Sequence, residues 1–123
     1  HKDFALIKTQ FDGEVDVTIG MFGDQLSAKI LDVSLLKADA EYESDYLKLQ
    51  EEITFAKLFE QKTQELAALR EKKPTISDIE NAVKGTEEYQ TVYLKKIESQ
   101  KNAKYLQSIL FDLINRREKQ QTN

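Results

Sequence analysis

Leu66-Ala67-Ala68-Leu69-Arg70-Glu71-Lys72-Lys73-Pro74-Thr75-Ile76-Ser77-Asp78-Ile79-Glu80 is the stretch that decides the fold. Pro74 is the only proline in the 123 residues. It has no backbone N–H and disfavours helix at the residue before it, so a helix arriving from Leu66 has to stop here. Immediately afterwards Thr75 and Ser77 can each accept a hydrogen bond from a helix N-terminus. Asp78 and Glu80 bring negative charge to that positive end. The chain therefore breaks and restarts. The restarted segment, 75–84, is a short helix with Ile76, Ile79 and Val83 on one side. Gly85 stands after Lys84 in the usual position of a C-terminal cap.

Outward from the break lie two long helical arms, 24–73 and 86–119. The first carries Leu31, Leu35, Ala38, Tyr42, Leu49, Ile53, Ala56, Phe59, Leu66 and Leu69 in steps of three and four, an amphipathic pattern close to a coiled-coil repeat. The second is capped by Thr86-Glu87-Glu88 and carries Tyr89, Val92, Tyr93, Ile97, Ala103, Leu106, Leu110, Leu113 and Ile114. Its stripe weakens at Gln100-Lys101. Neither stripe can be buried by its own helix. The arms are thus expected to fold back as a long antiparallel helical hairpin and to associate with further copies. Tyr89, Tyr93, Leu106, Leu110 and Leu113 are the candidate oligomer interface.

Residues 1–23 read differently. Phe11-Asp12-Gly13-Glu14 carries an Asp-Gly turn signal, and Val15-Asp16-Val17-Thr18-Ile19 alternates with period two and is rich in β-branched residues. A small N-terminal β-hairpin arm is expected there. The sequence-level architecture is one mainly α domain over 1–123: hairpin arm 1–23, long helix 24–73, short helix 75–84 at the bend, long helix 86–119.

Composition points the same way. Charged residues make up 33% with four glycines and no cysteine, a mixture that suits long exposed helices. Without cysteine there is no disulfide or thiolate metal site. The only histidine is His1, so no internal imidazole is present to act as a base or ligand. No nucleotide-binding glycine loop or nucleophile elbow is present. Asp39, Glu41, Glu43 and Asp45 are close in sequence, but at every second position they spread around a helix and read as a solvated acidic face. The expectation is a protein that is not an enzyme, with no catalytic residues, metal or cofactor. No apolar run spans a bilayer and no leader pattern is seen, so a cytoplasmic setting is expected.

The net charge of −4 is unevenly spread. Residues 1–50 hold five basic and ten acidic residues (−5), 51–85 hold six and seven (−1), and 86–123 hold seven and five (+2). An acidic first half and a basic last third suit pairing of the arms, or stacking of one subunit on the next. Arg70, Lys72 and Lys73 lie at the bend with Lys84 across the short helix. Arg116, Arg117 and Lys119 form a second group. Lysine and arginine clusters hold phosphate backbones, and neighbouring aromatic rings give single strands a stacking platform. Arg70, Lys72, Lys73 and Lys84 are the candidate nucleic-acid-binding residues.

The run from about Leu35 to Lys119 resembles the small helical recombination mediators of bacteriophages, the UvsY type. The likeness lies in the charged helix ending Leu66-Ala67-Ala68-Leu69-Arg70-Glu71-Lys72-Lys73, the restart at Lys84-Gly85-Thr86-Glu87-Glu88-Tyr89, and the closing run Tyr105 to Arg117. It implies a ring-like homo-oligomer that binds single-stranded DNA and helps load a strand-exchange recombinase onto DNA covered by single-strand-binding protein, in the host cytoplasm. The negative net charge and the β-like N-terminal segment depart from that pattern. The rival reading is a helical protein–protein interaction module (assembly factor, chaperone or inhibitor) with no nucleic-acid binding. A coiled-coil component of a phage particle is a third.

Overall fold

The computed structural model describes residues 24–69 and 72–122. They form three helices: α1, Asp24–Leu69; α2, Ile76–Lys84; and α3, Glu87–Thr122. The protein is mainly α, and a long helix packs against another. No strand occurs among the described residues, and the expected hairpin of residues 1–23 lies outside them.

Local chemistry sets the helix ends. No proline or glycine falls between Asp24 and Lys73, so nothing interrupts α1. Beyond Pro74, Thr75 closes a reciprocal cap. The Asp78 N–H donates to Thr75 Oγ1 at 3.1 Å, and the Thr75 N–H donates to Asp78 Oδ2 at 3.3 Å. Thr86 caps α3, its Oγ1 accepting from the Tyr89 N–H at 3.2 Å and donating to the Val83 carbonyl at 2.7 Å. Gly85 ends α2, but at φ −80°, ψ −9° it stays right-handed. The C-cap position expected for Gly85 is therefore kept without a left-handed turn, because Thr86 takes up the Val83 carbonyl and the next helix starts at once.

The chain divides into two compact units. One holds the chain up to Ser44 and from Glu98 onward; the other is Asp45–Ile97. In the first, Leu26, Ile30, Val33 and Ala40 of α1 pack with Leu106, Ile109 and Leu113 of α3, walled by Leu36, Ala103, Tyr105, Leu110 and Ile114. In the second, Leu58 of α1, Val83 of α2 and Tyr89 of α3 form the centre, with Phe55 and Phe59 against it. Ile79 and Val83 are buried as α2's spacing predicts, while Ile76 is exposed.

The α1 stripe needs a correction. Leu31 (60% exposed), Leu35 (60%), Tyr42 (76%), Leu49 and Ile53 face outward, and Leu69 is exposed at the helix end. The face that packs is Leu26, Ile30, Val33, Ala40 and Leu58. At 100° per residue these two rows lie on opposite sides of the helix. Periodicity reports that a row exists, not which of two rows the rest of the chain covers. Apolar rows on both sides also nearly cancel the helix's net amphipathicity.

Candidate nucleic-acid interface

The bend residues come first. Lys72 and Lys73 are exposed beside a buried Pro74. Arg70 lies outside the described residues. Lys84 is exposed in the last turn of α2, and its carbonyl accepts from Gln90 Nε2 at 3.1 Å. Nine helical residues at 1.5 Å each span about 13 Å, so the lysines bracket α2 rather than touch.

Beside Lys84 is an open cleft of about 560 Å³, lined by Lys84, Tyr89, Gln90, Tyr93 and Leu94. Behind it runs a ladder of rings. Phe59 lies 5.9 Å from Phe55, Phe55 meets Tyr89 edge-on at 5.9 Å, and Tyr89 stacks on Tyr93 at 5.8 Å with 23° between planes. The ladder starts in the core and ends at Tyr93, which is 39% exposed. Lys96 Nζ sits 4.5 Å from the centre of the Tyr93 ring, within cation–π range.

A polar knot fixes the buried end. Glu51 Oε1 accepts from the Tyr89 hydroxyl at 2.8 Å and forms an ion pair with Lys96 Nζ at 3.5 Å. Both Glu51 and Lys96 have side chains only 16% exposed. Burial, then the hydrogen bond to Glu51 and its charge, push the Tyr89 phenol up to about 12. Lys57 reaches Glu88 at 2.8 Å on the surface. In this unit α1 and α3 run antiparallel, as these pairs require: Glu51 meets Lys96, and Lys57 meets Glu88.

The other sequence candidates fall as follows. Tyr89, Leu106 and Leu113 are buried within one chain, Leu110 is half-buried, and Tyr93 alone of the five is exposed. Most of the surface assigned to association is therefore already covered by the chain's own α1. Arg116 pairs with Asp112 at 3.0 Å. Arg117 is half-buried, and its Nε finds no protein partner. Sequence reasoning missed Glu51 and Lys96, and also Ser99 and Asn102, whose buried Oγ and Oδ1 reach no protein partner. Counting strict three–four steps from Tyr89 (92, 96, 99, 103, 106, 110, 113) would have found Lys96 and Ser99 on the inner face.

Among the described residues, no group of three or more acidic, His or Cys side chains could hold a metal ion. No helix among them is long and apolar enough to cross a membrane. Fold and site define a mainly helical protein with an aromatic–lysine cleft beside a capped short helix. No protein-family model, curated protein or solved structure matches the chain.

Proposed function

We propose that this protein is a non-enzymatic, homo-oligomeric accessory factor of phage-type DNA recombination that holds single-stranded DNA and assists recombinase loading. The observation that carries the DNA reading is the cleft in which Lys84 borders the Tyr89–Tyr93 stack, with Lys96 over the outermost ring. Single-strand binders combine these two elements: cations for phosphate and exposed rings for bases. Arg70, Lys72, Lys73 and Lys84 supply phosphate contacts, and Tyr93 offers a stacking face. The recombination setting, the host cytoplasm and the recombinase or single-strand-binding-protein partners come from the resemblance to the UvsY-type mediators. A net charge of −4 does not oppose a local site, because screening limits the reach of distant acids to about 8 Å at physiological salt.

The test is fluorescence anisotropy of labelled oligo-dT against the full chain over a salt series. Binding should weaken linearly in log salt, by about 0.7 in slope per phosphate engaged. Lys72→Glu with Lys73→Glu should flatten that slope, and Tyr93→Ala should cut affinity about 5- to 150-fold, from roughly 1–3 kcal/mol per stacked base. No binding at low salt removes the reading.

The rival, a protein-interaction module without nucleic-acid affinity, is favoured by the exposed apolar row of α1. It predicts that Lys72→Glu and Lys73→Glu leave partner binding unchanged.

A further inference from the structure

We infer that Lys96 is a strap across the stacking ring: Glu51 holds its ammonium over Tyr93, and a base stacks there only after Lys96 has swung away. This deepens the proposed single-strand reading and rests on it, because the contact it regulates is the one between Tyr93 and a base.

The residues involved all lie within the Asp45–Ile97 unit. Tyr93 and Lys96 stand three positions apart on α3, so their side chains share a face, and helical side chains lean toward the N-terminus. Lys96 therefore comes back over the turn that carries Tyr93, and its Nζ stops 4.5 Å from the ring centre. A lysine on a helix surface ordinarily runs its methylenes along the protein and keeps the ammonium in water. Lys57, paired with Glu88, does so with a side chain 55% exposed, whereas that of Lys96 is 16% exposed. The cause of this drawing-in is visible. Glu51, its side chain also 16% exposed, meets Nζ at 3.5 Å with Oε1. A cation taken this far out of water needs a compensating charge, and Glu51 supplies it.

The same Oε1 accepts from the Tyr89 hydroxyl at 2.8 Å. Tyr89 in turn stacks on Tyr93 at 5.8 Å. One carboxylate oxygen thus anchors both the ring on which Tyr93 stacks and the ammonium over Tyr93. Tyr93 carries two occupants already, and the residue is left 39% exposed. A base stacks by laying its plane on a ring, which an ammonium in this position prevents. The ladder from Phe59 through Phe55 to Tyr89 is complete without Lys96, so the lysine can leave without undoing the packing behind it. A strand brings what the exchange requires: a phosphate to replace Glu51 as the anion beside Lys96, and a base to replace Lys96 over the ring.

The test compares two oligomers of equal length on the full chain, oligo-dT and an abasic strand, by anisotropy at low salt. The ratio of the two affinities isolates the base, because a lost cation weakens both. Lys96→Ala should raise that ratio about 2- to 30-fold, the range of one cation–π contact. Glu51→Gln should raise it too, since a carboxamide oxygen still accepts from Tyr89 while the charge that holds Lys96 is gone. Proton NMR of the free wild-type chain gives a readout that needs neither variant nor DNA. The Lys96 ε-methylene protons should lie upfield of an ordinary lysine, under the ring current of Tyr93, and oligo-dT should return them to the ordinary position. Unshifted ε-protons in the free wild type, or a ratio that stays level or falls in variants whose circular dichroism is unchanged, overturns the strap and leaves the single-strand reading standing. Failure of wild type and both variants to bind either oligomer removes that reading, and the strap with it.

Discussion

The same two helices build both compact units, yet they pack with different chemistry. In one, aliphatic side chains meet: Leu26, Ile30 and Val33 against Leu106, Ile109 and Leu113. In the other, rings and ions meet: Phe55 and Tyr89, with Glu51 and Lys96 held between the helices. Aliphatic packing is non-directional and scales with area removed from water, so it supplies stability without fixing orientation. The ring ladder and the Glu51 knot are directional. They fix which residues of α1 face which residues of α3, and they deliver Tyr93 to the surface beside Lys84. The division of labour is stability at one set of contacts and geometry at the other.

The sharpest way to break this contrast is in the aliphatic unit. Leu106 is 1% exposed. Leu106→Ala should destabilise the chain by about 2–5 kcal/mol in urea unfolding, as a buried leucine truncation does. A loss under about 1 kcal/mol would mean that this core collapses around the gap and is not the main source of stability.

A smaller effect sharpens the aromatic side. With the Tyr89 phenol raised to about 12 from an ordinary value of 10, the folded state holds this proton more tightly than the unfolded one. Its contribution is complete below pH 10, and it is lost as pH rises through 10 toward 12. An absorbance titration at tyrosinate wavelengths should therefore show a late step near pH 12 that Tyr89→Phe removes. If the variant instead loses a step near pH 10, the Glu51–Tyr89 bond does not hold the phenol protonated.

The smallest effect is at the joint. Gly85 has a right-handed backbone, and an added Cβ would meet only the Asn81 and Ala82 carbonyl oxygens, at 3.4 and 3.6 Å. Gly85→Ala should be neutral or stabilise by about 0.4–1 kcal/mol, through the reduced freedom of the unfolded chain. A clear destabilisation would show that the α2–α3 joint needs left-handed freedom after all.

Features set by adjacent residues could be read from the sequence. Thr75 and Asp78 capping α2 and Thr86 capping α3 depend only on neighbours along the chain, and a break before Pro74 was legible too, although α1 extends to Leu69 and Lys72 and Lys73 are not helical. What depends on the partner helix could not. Nothing local distinguishes the Leu31–Leu35–Tyr42 row from the Leu26–Ile30–Val33 row, because each repeats at helical spacing and only tertiary packing chooses between them. Nothing local marks Lys96 as inward, yet a glutamate on α1 and a ring beneath it make that position tolerable. Gly85 could be placed as the cap of α2, but its right-handed backbone could not be foreseen; it follows from the threonine at the next position. The candidate cleft was partly legible: Lys84 could be named, while Tyr93 was assigned to association and the ring ladder behind it could not be read.

The measurement that bears most directly on the whole account is the solution mass of the full chain, with and without a single-stranded oligonucleotide. The account predicts an assembly of several chains on its own, and the same assembly with DNA added to its mass at low salt and released as salt rises. A single chain in both conditions, its mass unchanged by the oligonucleotide, would contradict it.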